Sequence, residues 1–144
     1  MATVADIIAN KLADVVTVDG RSTVLEATKL MNRMHIGSVL VPGEDGSIAG
    51  ILTERDLLTR IVAAERDPAT TLVRDVMTRE VVCCDRGTSV EELRELFRSR
   101  RIRHLPVRDH AGVCAMVSIG DINAWDADQL AATVTSLTAY ITQA

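Results

Sequence analysis

Apolar and polar positions along the chain switch between two periods, and the same switch occurs twice. Val15–Val18 is a short β-branched run of the kind that forms a strand. Thr23 and Glu26 then stand as a capping box, with a hydroxyl placed to accept an N3 amide and a carboxylate placed to reach back to the N-cap amide. Val24, Ala27, Leu30, Met31 and Met34 follow at helical spacing and predict a helix with one apolar stripe. Ser38–Val41 and Ile48–Leu52 read as two strands around a turn that holds Gly43 and Gly46. A helix is predicted from Glu54 to about Arg66, ended by Asp67-Pro68, because the residue before a proline disfavours helical geometry.

Shifted by 66 positions, the chain falls on itself. Val15, Val16, Asp19, Val24, Glu26, Leu30, Ile36 and Val41 land on Val81, Val82, Asp85, Val90, Glu92, Leu96, Ile102 and Val107. One residue is then lost in a loop, after which Leu52-Thr53 lands on Val117-Ser118 and Asp56 on Asp121. Upstream, Val4, Asp6 and Ile7 match Val73, Asp75 and Val76. Ser89-x-x-Glu92 repeats the capping box, and strands are predicted near His104–Val107 and Gly112–Val117, with a helix from Ile119. The organisation is a first repeat over 1–72, a second over 73–126, and a tail over 127–144. Leu130, Val134, Leu137 and Ile141 give that tail one apolar helical face, which packs either on its own body or on a partner. A half of this size has a marginal core. The two halves are therefore expected to pack pseudo-symmetrically and to leave two related clefts.

Composition supports a folded chain and narrows its chemistry. Of 144 residues, 47% are hydrophobic, which excludes disorder. Aromatics make up only 2%, namely Phe97, Trp125 and Tyr140, so the core must be aliphatic. No apolar run approaches the length of a membrane span, and no secretory signal is read at the start. Cys83, Cys84 and Cys114 are odd in number and lack metal-ligand spacing, so reduced thiols in a cytoplasmic protein are expected. The net charge of −4 disfavours a nucleic-acid surface, although Arg94, Arg98, Arg100, Arg101 and Arg103 form a local basic run. Glycine-rich nucleotide loops, nucleophile elbows and zinc-protease motifs are all missing, so no catalytic residue or metal is assigned.

The candidate chemistry sits at two strand-to-helix junctions, Thr53-x-x-Asp56 and Ser118-x-x-Asp121. As structure, each is a helix cap. As a site, each combines free helix amides, which suit a phosphate, with a carboxylate that can accept two ribose hydroxyls. Arg103 and His104 precede a strand of the second repeat and could hold phosphate oxygens; Gly37 and Ser38 take the equivalent places in the first repeat without charge. The clefts are expected to be unequal, with the second-repeat cleft favouring phosphate.

Taken together, Ser22-Thr23-Val24, Ile36-Gly37, Gly50-Ile51-Leu52-Thr53-x-x-Asp56, Asp75-Val76-Met77-Thr78, Ile102-Arg103-His104-Leu105-Pro106-Val107 and Val117-Ser118-x-x-Asp121 resemble a tandem cystathionine-β-synthase (CBS) domain protein, or Bateman module, of the short stand-alone bacterial type. The resemblance implies a mixed α/β (α+β) fold of two β-α-β-β-α units packed through their sheets, followed by a C-terminal helix. It implies a regulatory homodimer, with an unidentified effector protein, that binds AMP, ADP, ATP, NAD or S-adenosylmethionine. Asp56 and Asp121 would take ribose hydroxyls, Thr53 and Ser118 phosphate, and Arg103 and His104 phosphate in the second-repeat cleft. Adenine would lie against Val16 and Thr17 in the cleft of Asp121, and against Val82 and Cys83 in that of Asp56, with Ile36 and Ile102 as apolar walls. Ala115 departs from the glycine at Gly50, and its methyl is expected to narrow one cleft. The alternatives are an interaction module with vestigial clefts and, more remotely, a nucleic-acid binder using the arginine face.

Overall fold

Side-chain caps set where the two long body helices begin. The computed structural model describes residues 1–9, 11 and 15–143. In α2 (Val24–Met34) the Glu26 amide donates to Thr23 Oγ1 at 3.1 Å and the Thr23 amide donates to the Glu26 carboxylate at 3.2 Å. In α5 (Val90–Arg100) only the Ser89 half of the box forms, with the Glu92 amide at 3.1 Å from Ser89 Oγ. There the N-terminal segment pairs across Ser89 instead, through Val4 N–H to Thr88 O and Val90 N–H to Ala2 O. The apolar stripes are buried as expected: Val24, Ala27 and Met31 on α2, and Val90, Leu93 and Phe97 on α5. Both helices stop at a residue in the left-handed conformation, His35 (φ 55°) and Arg101 (φ 53°), which are 66 positions apart.

Each repeat carries an antiparallel pair. β1 (Ser38–Pro42) pairs with β2 (Ile48–Thr53), with Ser38 opposite Thr53. In the second repeat β4 (His104–Asp109) pairs with β5 (Gly112–Ser118), with His104 opposite Ser118. The short β3 (Cys84–Asp85) adds to β4 in parallel. The strand expected at Val15–Val18 is reduced to one parallel bridge, Thr17 to Leu40. Two hydrogen bonds hold it: Val18 N–H to Leu40 O and Leu40 N–H to Val16 O.

The helix expected to run from Glu54 to Arg66 is shorter and changes pitch. α3 (Glu54–Asp56) continues as a π-helical segment, Leu57–Val62, and Glu65 then adopts a left-handed φ of 54°. The turn is thus broken before Asp67-Pro68 is reached. At the C-terminus, α6 (Ile119–Gln143) is one unbroken 25-residue helix that passes through position 126 into the tail; Ala144 lies outside the described residues.

The two cores do not follow the order of the sequence. α1 (Val4–Ile8) packs into the core built by Cys84, Leu93, Phe97, Leu105, Val107, Val117 and Ile122. α4 (Val73–Val76), with Met77, packs into the core of Val24, Met31, Val39, Val41 and Leu52. Backbone hydrogen bonds fix the exchange: Ala5 N–H to Arg86 O on one side, Val73 N–H to Ser22 O and Val24 N–H to Thr71 O on the other. The leading turn of each repeat completes the other repeat, so the molecule is a mixed α+β pair of interlocked units with a helical tail.

Val73 is fully buried in the first core although it opens the second repeat. Replacing it by alanine removes two methyl groups and should cost about 2 kcal/mol. Trp125, on α6 beyond the second core, should report the same shift in urea midpoint as far-ultraviolet circular dichroism. Separate midpoints for the two probes would show that the halves unfold independently.

Candidate functional site

Exchange of the leading turns brings the strand starts of one repeat against the junction of the other. The cleft at Asp56 is lined by Thr53, Asp56, Thr78, Val82, Arg100, Arg101, Ile102, Arg103 and His104, among others. The cleft at Asp121 is lined by Lys11, Val16, His35, Ile36, Gly37, Ser38, His104, Met116, Ser118 and Asp121. Of the expected residues, Arg103 is therefore placed in the cleft of Asp56, not in the second-repeat cleft of Asp121. The reason is the crossing of the pseudo-twofold: Ile102–His104 face the first repeat's junction, while Ile36–Ser38 face the second's. Thr17 and Cys83 line neither cleft, and Val16 and Val82 stand there without them. Gly50 and Ala115 also line neither. A side chain at Gly50 would come within 2.6 Å of Met77 Sδ, so that glycine serves the close pairing of Ile51 with Thr78 rather than ligand access.

Both junctions are formed caps. The Asp56 amide donates to Thr53 Oγ1 at 3.3 Å and the Thr53 amide donates to Asp56 Oδ2 at 3.0 Å. The Asp121 amide donates to Ser118 Oγ at 3.1 Å and the Ser118 amide donates to Asp121 Oδ2 at 2.8 Å. Beyond the caps, the two carboxylates differ. Asp56 is buried, and Oδ1 accepts from the Thr78 hydroxyl at 3.1 Å with Arg60 Nε at 3.8 Å. Asp121 keeps 28% of its side chain exposed, and the bonds made to it among the described residues all fall on Oδ2. Lys11 Nζ sits 2.7 Å from that oxygen and also donates to Met116 O. Met116 is the counterpart of Ile51, whose carbonyl accepts from the Thr78 amide in the other cleft. An ammonium at one cleft thus stands where a threonine stands at the other.

Size and charge separate the clefts further. The Asp121 cleft is about 370 Å³ and the Asp56 cleft about 190 Å³. Only the larger falls in the usual range of small-molecule pockets, roughly 300–1,000 Å³. Four guanidiniums, Arg55, Arg100, Arg101 and Arg103, surround the smaller cleft, and Arg55 Nη1 donates to Arg101 O across the repeats at 2.6 Å. Glu54, Asp56 and Glu80 line it too, so cations exceed carboxylates by one there, whereas Lys11 and Asp121 balance at the larger cleft; this slight excess at Asp56 is the reverse of the expected inequality. Elsewhere the basic run is neutralised: Arg94 is bidentate to Asp126, at 2.8 and 2.5 Å, and Arg98 pairs with Glu95.

His104 is shared by both clefts and packs against Gly37, where a Cβ would meet its Nε2 at 2.9 Å. Burial holds its imidazole below the ordinary 6.5, partly offset by Glu54. Burial also pushes the Cys83 thiol up and that of Cys84 up to about 11, so these are inert apolar groups rather than nucleophiles. Among the described residues no cluster of His, Cys, Asp and Glu could hold a metal ion, and no helix is long and apolar enough to cross a membrane. Lys11, His35 and Thr78 are cleft residues that sequence reasoning missed. The 66-residue shift carries a signal for His35, because it pairs that residue with Arg101 at the two helix ends. No spacing points to Lys11.

The family model of the CBS domain matches residues 4–63 and 73–128. The chain belongs to the CBS domain family. It is 40% identical over 104 residues to a mitochondrial CBS domain-containing protein of Arabidopsis thaliana, covering 69% of this chain and half the length of that relative. A solved CBS-domain-containing protein from Agrobacterium tumefaciens matches with a TM-score of 0.81 at 32% identity, covering 87% of this chain and 99% of that one. A further solved CBS domain pair, 22% identical with a TM-score of 0.77 over 90% of this chain and 98% of that one, is in complex with 5-methylthioadenosine and S-adenosyl-L-methionine.

The depressed imidazole sets a pH dependence. As pH falls below about 6.5 the unfolded chain takes up the His104 proton before the folded one does. Stability should therefore fall as pH drops below about 6.5. His104→Gln should flatten that slope in thermal melts. An unchanged slope in the variant would assign the pH dependence elsewhere.

Proposed function

We propose that the chain is a non-catalytic regulatory module that binds an adenosyl ligand with phosphate or a comparable polar arm (AMP, ADP, ATP or NAD) in the clefts between its repeats. One observation carries this reading: two pseudo-equivalent pairs, Ser118 with Asp121 and Thr53 with Asp56, each face a wall supplied by the other repeat. The Asp121 cleft is the primary site. It is the larger, its carboxylate keeps one oxygen without a hydrogen bond among the described residues, which suits a ribose diol, and Lys11, His35 and His104 offer donors to an anionic arm. Val16 and Ile36 give adenine aliphatic walls, in keeping with the scarcity of aromatics. In the second cleft Arg103, Arg100 and Arg101 favour the more highly charged phosphate chains, while Asp56 acts first as a structural anchor. The adenosyl complex of the distantly related CBS pair supports the ligand class. A homodimer passing its ligand state to an effector protein in a reducing cytoplasm completes the reading; the free thiols at Cys83, Cys84 and Cys114 fit that compartment.

A ligand at a hundredfold excess over its dissociation constant adds about 2.7 kcal/mol to the folded state. At this size that is a rise of roughly 5–10 °C in Tm. Thermal melts with AMP, ADP, ATP, NAD and S-adenosylmethionine should show such a rise for at least one, and Asp121→Asn should abolish it while lowering the unliganded melt less than Asp56→Ala does, because only the Lys11 ion pair is lost and the amide oxygen still caps the helix. Flat melts with all five would leave the clefts vestigial. Asp56→Ala, in contrast, should lower the unliganded stability by about 2 kcal/mol, because it strands the Thr53 amide, the Thr78 hydroxyl and Arg60.

A further inference from the structure

The last two-thirds of α6 stands away from the body. Every residue over 127–143 is exposed, including Leu130 at 66%, Val134 at 54%, Leu137 at 57% and Ile141 at 70%. A helix with so little tertiary contact is marginal in water. This one is further weakened by β-branched residues at 133, 134, 135, 138, 141 and 142. Something must cover its apolar face, and the spacing says what. From Ala127 the apolar positions run 127, 130, 134, 137 and 141, alternating by three and four, which is a heptad seam. The a positions are Ala127, Val134 and Ile141, and the d positions are Leu130 and Leu137. β-branched residues at a with leucine at d select a parallel two-stranded coil.

Charge agrees with self-pairing. Asp128 is the last charged residue, so no position flanking the seam carries a charge that would repel its own copy in register. We infer that residues 127–143 of α6 pair in parallel with the same segment of a second copy of this chain, with the twofold axis along the helix. The paired arm is roughly 25 Å long. That length buries less than the roughly 800 Å² per partner of a standard interface, so a weak, concentration-dependent dimer is expected from the arm itself. The inference is independent of what the clefts bind.

Cysteine substitutions test it in the full chain. Leu137→Cys, at d, should cross-link to itself under mild oxidation and give a covalent dimer on a non-reducing gel. Ala139→Cys, at f on the opposite face, should stay monomeric under the same conditions, as should the unsubstituted chain. In a mixture, Leu130→Cys should cross-link with itself and not with Ile141→Cys. Charges in the seam, Leu130→Glu with Leu137→Glu, should raise the dimer dissociation constant at least tenfold by light scattering. The same double variant should leave the thermal melt at high dilution, where the chain is monomeric, in place. Equal cross-linking at 137 and 139, no cross-linking at 137, or cross-linking of 130 with 141 would each overturn the parallel pairing. So would an unchanged dissociation constant, or binding of the unsubstituted arm to phosphatidylcholine vesicles in preference to its own copy.

Discussion

The exchange of leading helical turns governs the rest of this molecule. Val4 and Ile8 complete the core of the second repeat, and Val73, Val76 and Met77 complete that of the first. Each half alone would have only a marginal core. With the turns exchanged, each core gains a wall that no local segment could supply, and the backbone bonds of Val4, Ala5, Val73 and Val24 leave little freedom in how the halves meet. The exchange also accounts for the aliphatic composition. Two thin cores made of sheet, helix and a borrowed turn leave room for valine and leucine, and Phe97 is the one aromatic residue within them.

The clefts follow from the same constraint. Because the halves interlock, the strand starts at Ile36–Ser38 and Ile102–His104 lie across the junction of the opposite repeat. Symmetry of backbone is then broken by side chains. Gly37 makes room for His104, which has no counterpart in the first repeat, and Lys11 takes at Asp121 the place that Thr78 takes at Asp56. One carboxylate is thereby tied into the fold and the other is left half open. A duplicated scaffold has acquired two chemically different clefts, and the imidazole of His104 lines both.

Much of this was legible in the sequence because the fold is built from local signals that repeat. The reciprocal caps at Thr23, Thr53 and Ser118, the half-formed cap at Ser89, the helical stripes and both antiparallel pairs follow from nearest-neighbour chemistry. Four features were not legible. The Val15–Val18 strand is reduced, among the described residues, to a single bridge from Thr17 to Leu40, a partner more than twenty residues away. The helix after Thr53 turns π-helical and ends at Val62, a backbone choice that no residue preference marks. The placement of Arg103 depends on the crossing of the repeats, and a sequence shift of 66 equates positions without saying which cleft they face. Lys11 was invisible for the same reason: its partners, Met116 and Asp121, lie more than a hundred residues away.

The central claim is that a ligand site here belongs to both repeats at once. The most direct measurement is a titration of the isotopically labelled protein with AMP, followed through backbone amide resonances. The account predicts that Gly37 and Ser38 of the first repeat shift together with Ser118 and Asp121 of the second, at one common midpoint. Shifts confined to a single repeat, or no shifts at either junction, would contradict it.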